Sequence, residues 1–324
     1  MTGAVRTTLI AVIALVLAGG ALAQGTYPSR PVSMVVGFAP GGGTDTVARV
    51  LAKTIGDALG QQVVVENKAG AGGDIATDYV AHAAPDGHTL LLGNVGSLTV
   101  APHMIENLPY DPLRDFAPIT MAVVFANVVV VLASLPAQTF PEFVKLAREK
   151  PGTITYGSSG IGGAGHLAGE LLKDAAKIDI VHVPYKGGGP AMQGLLGGQI
   201  HAYFAAPASV VGHIKSGRAR ALATTGSRRA QLLPDVPTIA ESGYPGYEAM
   251  NWYAYVAPAK TPKDIIDRLN REIVKALATP DVVALLENQG MEPSSSSPEE
   301  LARYIAREYE TWGKVVKRAG IKAQ

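Results

Sequence analysis

Twice in this chain a strand-like apolar run passes through a glycine-rich loop straight into a helix-like segment. The first loop reads Val35-Val36-Gly37-Phe38-Ala39-Pro40-Gly41-Gly42-Gly43-Thr44-Asp45 and flows into 46–59. The second reads Tyr156-Gly157-Ser158-Ser159-Gly160-Ile161-Gly162-Gly163-Ala164-Gly165-His166 and flows into 167–176. Glycines let the backbone come close to a ligand, and a helix start offers unpaired N–H groups at the positive end of its dipole. Each loop is therefore a candidate anion cradle. A pair of them predicts one cradle on each of two lobes, with an anion gripped between.

The first residues decide the compartment. Arg6 precedes the uncharged apolar run 9–18, Gly19-Gly20 ends it, and Ala21-Leu22-Ala23 fits the small-x-small cleavage pattern. Residues 1–23 are expected to be a signal peptide and Gln24 the mature start. A membrane anchor is the rival reading, but the run falls short of the roughly 20 residues that a spanning helix needs. The chain has no cysteine, so neither a lipidated cysteine nor a disulfide is available, and the exported protein must be stabilised by its core alone. About 300 residues remain after cleavage, enough for two domains. A 47% hydrophobic content supports substantial cores. Lys and Arg total 28 against 27 Asp and Glu, with no basic block, so no nucleic-acid partner is expected. The later stretch nearest to a membrane span, 119–135, carries Asn127 and β-branched runs typical of strands. The mature protein should be soluble.

Strand and helix signals alternate along the first half. Residues 32–38, 62–66 and 89–93 read as strands and 46–59 as a helix closed by Gly60, with a further helix running through Ala83. The theme returns from about Val123. There 123–132, 154–156, 180–184, 200–204 and 219–224 read as strands, and 140–150, 167–176, 190–197 and 207–215 as helices. Near-continuous apolar strands alternating with helices point to an α/β fold with two parallel-rich sheets flanked by helices. From Pro262 the chain is helical: 263–278, 280–289 and 298–319. Ser297-Pro298-Glu299-Glu300 is a capping box, followed by an apolar stripe of Leu301, Tyr304, Ile305, Tyr309, Trp312, Val315 and Val316. This last helix is expected to dock on the first lobe, so the chain crosses between lobes twice, near 122–127 and near 250–255. The expected lobes are 24–123 with 253–324, and 124–252.

Gly160-x-Gly162-x-x-Gly165 matches the dinucleotide fingerprint, which also needs an acidic residue at the end of the next strand. That strand ends Val183-Pro184-Tyr185-Lys186, and Asp179 lies at its wrong end, so a dinucleotide is not expected. The first loop lacks the Gly-Lys-Ser/Thr of a P-loop. No Gly-x-Ser-x-Gly, no His-Glu-x-x-His and no thiol is present, and the seven histidines show no metal-type spacing. We expect no cofactor, no metal and no catalytic residue. His166 either faces the cleft or packs against the loop backbone. Ser158 and Ser159 can cap the helix or donate to a carboxylate. Thr44 shares that ambiguity. Asp45 would repel an anion, so capping or bracing its loop suits it better. Lys186, in the third strand-to-helix loop Tyr185–Pro190, either charges the site or sits solvated at its rim. Asn94-Val95-Gly96-Ser97 would join the first cradle from a neighbouring strand end, since ligands of open α/β sheets bind outside the carboxyl ends of strands.

Several segments together carry a family resemblance. They are Tyr27-Pro28-Ser29-Arg30-Pro31, the first glycine loop, Val65-Glu66-Asn67-Lys68-Ala69-Gly70-Ala71-Gly72-Gly73 and Leu108-Pro109-Tyr110-Asp111-Pro112 with Asp115-Phe116-Ala117-Pro118-Ile119. The second glycine loop with His166-Leu167-Ala168-Gly169-Glu170, Val183-Pro184-Tyr185-Lys186-Gly187 and Ala257-Pro258-Ala259-Lys260-Thr261-Pro262 complete the set. Over essentially the whole mature chain the sequence resembles the extracytoplasmic solute-binding proteins of tripartite tricarboxylate transporters, the Bug family. The resemblance implies a two-lobed periplasmic binding protein of type II topology that closes around a carboxylate. It also implies integral-membrane transporter subunits as partners, and a monomer. Carried over, contacts come from Phe38, Ala39, Gly42, Thr44, Asp45, Asn94 and Ser97 on one lobe. Ser158, Ser159, Gly160, His166, Lys186, Gly187 and Ala205 supply the other. Family members often have an aspartate after Gly-Gln-Ile and a polar residue after the next strand, where this chain has His201 and Ala205-Ala206. An ammonium group would lack a partner there, so the expected ligand is a small mono- or dicarboxylate without an amine, aromatic acids included. Trp252-Tyr253-Ala254 stands where a glycine is usual. Presenting the ligand to a signalling partner is the alternative role, and a periplasmic hydrolase using the same cleft the more distant one.

Overall fold

The computed structural model describes residues 27–321; the expected signal peptide lies outside the described residues. The first series is β1 (Val32–Val36), α1 (Gly43–Leu59), β2 (Val63–Asn67), α2 (Asp74–Ala81), β3 (Thr89–Asn94), a short α3 (Ala101–Met104) and the long β4 (Phe116–Ala126). The second is β5 (Val128–Leu132), α4 (Phe140–Glu149), β6 (Ile154–Ser158), α5 (Ala164–Ala176), β7 (Ile180–Pro184), α6 (Gly188–Leu196), β8 (Ala202–Ala205), α7 (Val211–Lys215) and β9 (Ala219–Thr224). The chain then returns through β10 (Met250–Pro258), α8 (Lys263–Leu277), α9 (Pro280–Glu287), β11 (Glu292–Pro293) and α10 (Pro298–Ala319).

Two separate sheets result, ordered β11-β4-β10-β3-β1-β2 and β7-β6-β8-β5-β9. Both are mixed. β1 runs parallel to β2 and β3, and β6 parallel to β7 and β8. The strands next to the crossings run antiparallel: β10 against β3 and β4, and β5 against β8 and β9. A strand that enters a sheet from the other lobe arrives without a local crossover helix, so it is free to pair antiparallel.

The stretch 123–132, read from sequence as one strand, is two strands in two different sheets. Asn127 separates them, with its N–H donating to Thr225 Oγ1 and its carbonyl accepting from the Thr225 N–H, both at 2.9 Å. Thr225 Oγ1 in turn donates to the Ala249 carbonyl at 2.7 Å, and the Ala249 N–H returns to the Thr225 carbonyl at 2.8 Å. Both crossings therefore meet at one buried threonine, and Met250 pairs with Ala126 just beyond it.

Helices cover both faces of each sheet, which is why the strands read as continuous apolar runs. Met34, Val36, Leu90 and Leu92 pack under α1, α8 and α9, while Val35, Leu91 and Trp252 face α2 and α10. In the second sheet Val129 and Phe204 pack under α4 and α5, and Val130 and Tyr203 under α6. The capping box of α10 forms, with the Glu300 N–H on Ser297 Oγ at 3.1 Å and the Ser297 N–H on Glu300 Oε2 at 2.8 Å. Its stripe (Leu301, Ile305, Trp312 and Val316) is buried against the first sheet, as expected. Ala164 and Leu167 of α5 join the same cluster, so the two halves share apolar core.

Candidate functional site

Three helix starts converge between the sheets. The N-caps of α1, α5 and α6 are Gly42, Gly163 and Gly187, and no side chain caps any of the three. Each helix begins earlier than its apolar periodicity suggested, because the helical turn extends back into the glycine loop. The loops thus contribute first-turn N–H groups directly, with the positive ends of three dipoles aimed at one region.

A narrow cavity of about 20 Å³ lies where they meet. Phe38, Gly42, Gly43, Thr44 and Asn94 wall it from one side, and Ser159, Gly163, Ala164, Gly188 and Tyr203 from the other. Ala206, Ser209, Asn251 and Tyr253 complete the lining, which contains no charged side chain. Its polar groups are biased towards donors. Asn94 Oδ1 already accepts from the Gly96 N–H at 2.7 Å and the Ser97 N–H at 3.4 Å, and Asn251 Oδ1 accepts from the Trp252 N–H at 2.8 Å. Each amide has thus spent its acceptor and keeps its NH2. Ser209 Oγ is buried and has no hydrogen-bond partner. Burial pushes the Tyr203 and Tyr253 phenols far above their ordinary range, so both stay protonated. A buried, neutral, donor-rich cavity at three positive dipole ends is complementary to an oxygen anion.

Of the residues singled out in the sequence, Phe38, Gly42, Thr44, Asn94 and Ser159 line this cavity. Ala39, Gly160, Lys186 and Gly187 lie at the seam between the lobes, where the first glycine loop meets the loop 185–190 and the second meets Gly72. The Ala39 N–H donates to the Lys186 carbonyl at 2.9 Å. A Cβ on Gly187 would stand 2.9 Å from Ala39 N, and one on Gly160 would stand 2.8 Å from Gly72 Cα. The Lys186 side chain itself is exposed. Asp45 braces its loop, accepting from the Gly41 N–H at 3.1 Å, Arg49 at 3.0 Å and Asn67 at 2.9 Å. Burial works to raise its pKa, but the hydrogen bonds from Arg49, Asn67 and Gly41 prevail and leave it below the usual range.

The remaining candidates form a layer behind the cavity wall. Ser158 Oγ donates to the Gly160 carbonyl at 2.9 Å and lies 2.7 Å from His182 Nε2. His166 Nδ1 accepts from the Gly162 N–H at 3.1 Å, so of its two readings the contact with the loop backbone is the one formed. Ser97 Oγ is buried and unpartnered behind Asn94, and Ala205 is buried in β8 beside the lining Ala206. Sequence reasoning passed over Tyr203, Ser209, Asn251 and Tyr253. Asn251 and Tyr253 sit two apart on β10 and so share a face. Tyr253 had drawn notice only as part of an unusual triplet, and a lone serine such as Ser209 carries no pattern of its own. Among the described residues no cluster suited to a metal ion occurs, and no helix is long and apolar enough to cross a membrane.

Residues 47–321 match the model of the tripartite tricarboxylate transporter family receptor. The protein BugT of Bordetella pertussis is 40% identical over 321 residues, spanning 98% of each chain. The solved periplasmic binding protein BugD is 38% identical, with a TM-score of 0.89 over 92% of this chain and 100% of that one. A protein of R. palustris solved with adipate is 36% identical, with a TM-score of 0.88 over 91% and 99% of the two chains.

Proposed function

Since the chain belongs to the tripartite tricarboxylate transporter receptor family, we propose that it captures a small organic carboxylate between its lobes and hands it to a membrane transporter. It is a two-lobed periplasmic solute-binding receptor of that transporter class. The observation that carries the ligand class is the neutral, donor-rich cavity at three uncapped helix starts. The first-turn N–H groups of α1 and α5 take one carboxylate, with Thr44, Asn94 and Ser159 as side-chain donors. A relative solved with adipate supports the same class. No carboxylate side chain lines the cavity, so an α-ammonium group would be left unpaired, and amino acids are disfavoured.

Ligand bridging the glycine loops favours the closed arrangement, and the transporter subunits recognise that closed shape. The lobes swing about the paired crossings at Asn127 and Ala249. Residues 1–23 direct export and are removed, leaving a soluble monomer with no enzymatic role. A thermal-shift screen over plain carboxylates and amino acids, followed by calorimetry, tests this reading. Carboxylates without an amine should raise the melting temperature. Tight binding of glutamate or aspartate with weak binding of plain carboxylates would overturn it.

A further inference from the structure

We propose that the stacked imidazoles of His166 and His182 position the second glycine loop for lobe closure, and that they do so only while both rings are neutral. The rings lie 4.0 Å apart with an interplanar angle of 18°. One sits in the first turn of α5 and the other on the adjacent strand β7. Each holds a different part of the loop that meets the first lobe.

The hydrogen bonds assign the protons. The Gly162 N–H donates to His166 Nδ1 at 3.1 Å, so that nitrogen is bare and the ring proton is on Nε2. Ser158 Oγ donates its single proton to the Gly160 carbonyl at 2.9 Å and accepts from the Gly160 N–H at 3.2 Å. His182 Nε2, 2.7 Å from that Oγ, must then be the donor. The pair therefore fixes both peptide groups flanking Ile161. Those groups form the seam itself: a Cβ on Gly72 of the first lobe would stand 2.2 Å from the Ile161 carbonyl oxygen, and one on Gly96 would stand 3.1 Å from that of Gly162. A small rotation of this loop would collide with the opposite lobe.

Protonation undoes the arrangement at a defined atom. A proton on His166 Nδ1 replaces the acceptor of the Gly162 N–H with a second donor facing it. A proton on His182 brings a cation to within 4.0 Å of the other ring. The neighbouring charges give little relief. Glu170 and Lys173 of α5 pair with each other at 3.0 Å, and Glu170 also accepts from the Tyr156 hydroxyl at 2.7 Å. Tyr156 of β6, tilted over His182 at 5.0 Å, is neutral. Burial accordingly pushes His166 down to about 4 and His182 to about 3, with the partner ring and Lys173 adding to the shift of His182.

The test needs no ligand, so it stands apart from the carboxylate reading. Amide hydrogen exchange of the segment 158–163, corrected for intrinsic pH dependence, is followed in the full mature chain from about pH 7 to about pH 3.5. The wild type should lose about tenfold in protection at Gly160 and Gly162 across that range while β1 stays protected. His166→Asn keeps an acceptor for the Gly162 N–H and cannot titrate, so it should hold its protection throughout. His166→Leu should be unprotected even at neutral pH. The proposal falls if His166→Leu stays protected, if His166→Asn follows the wild-type profile, or if β1 loosens together with the loop.

Discussion

The backbone N–H of Ala39 donates to the backbone carbonyl of Lys186 across the cleft, at 2.9 Å, while the Lys186 side chain points away into solvent. The two lobes are thus joined by main chain where a lysine would have suggested a charge contact. Lys186→Ala should leave carboxylate affinity within about twofold, since an exposed charge contributes little. Gly187→Val should fail, because Gly187 has φ 141° and its Cβ would press on Ala39 N. Calorimetry with the carboxylate found by screening separates the two variants. A large loss in Lys186→Ala would restore the side chain to the site.

Gly160 and Gly72 meet backbone to backbone, and Gly160 has φ 153°. Replacing Gly160 with valine adds bulk where the lobes touch and strains a backbone at positive φ, so the ligand-free melting temperature should fall as well. Affinity should fall by about 100-fold or more, because closure is blocked and the bridging contacts are not made. Unchanged affinity would remove this loop from the binding site.

Ser209 has a buried hydroxyl without a partner. Leaving such a group unsatisfied costs about 1–3 kcal/mol, so Ser209→Ala should stabilise the ligand-free protein by about 0.5–1 kcal/mol. The same change should weaken ligand binding by about tenfold, since the hydroxyl is held ready for the ligand. Opposite signs in denaturation and in calorimetry are the signature. Loss of stability with unchanged binding would mean that the hydroxyl serves the fold instead.

Asp74 sits at the start of α2, and burial raises its pKa to about 6 although Tyr110 donates to it at 2.7 Å. In the unfolded chain an aspartate titrates near 3.9. The stability tied to its protonated form is therefore present below about pH 4 and lost as pH rises through about 6. Asp74→Asn should be more stable than the wild type at pH 7 by about 1–2 kcal/mol, with the difference vanishing near pH 4. Melting curves at the two pH values decide it. A variant less stable at pH 7 would show that the helix start welcomes the charge.

Much of the fold was legible because its signals are local. The helix 298–319 announced its start through Ser297 and Pro298, and Gly320 closes it in the left-handed conformation. Short apolar strands such as 32–36, 89–94 and 154–158 were legible, whereas β10 and the part of β4 before residue 123 were not read as strands. The stretch 123–132 failed for a tertiary reason: β-branched residues continue on both sides of Asn127, and only the Thr225 bonds reveal the change of sheet. The glycine loops were also legible as close-approach turns feeding helix starts. Their second task was not, because the partner of Gly72 at Ile161, or of Gly42 at Gly188, is distant in sequence. The cavity floor was hidden for the same reason. Tyr203, Ser209 and Tyr253 come from three elements, and nothing marks them until β8 and β10 face each other.

The position of β10 also fixes an order of events. It lies between β4 and β3, near the middle of the first sheet, yet its residues come after the whole of the second sheet in the chain. As the chain emerges from its N-terminus, β1 to β4 cannot join into one sheet until residue 258 or so is available, whereas β5 to β9 are complete by residue 224. The second lobe can therefore consolidate while the first is still an open set of strands. A polypeptide arranged this way delays its own compaction until most of its length is in one compartment.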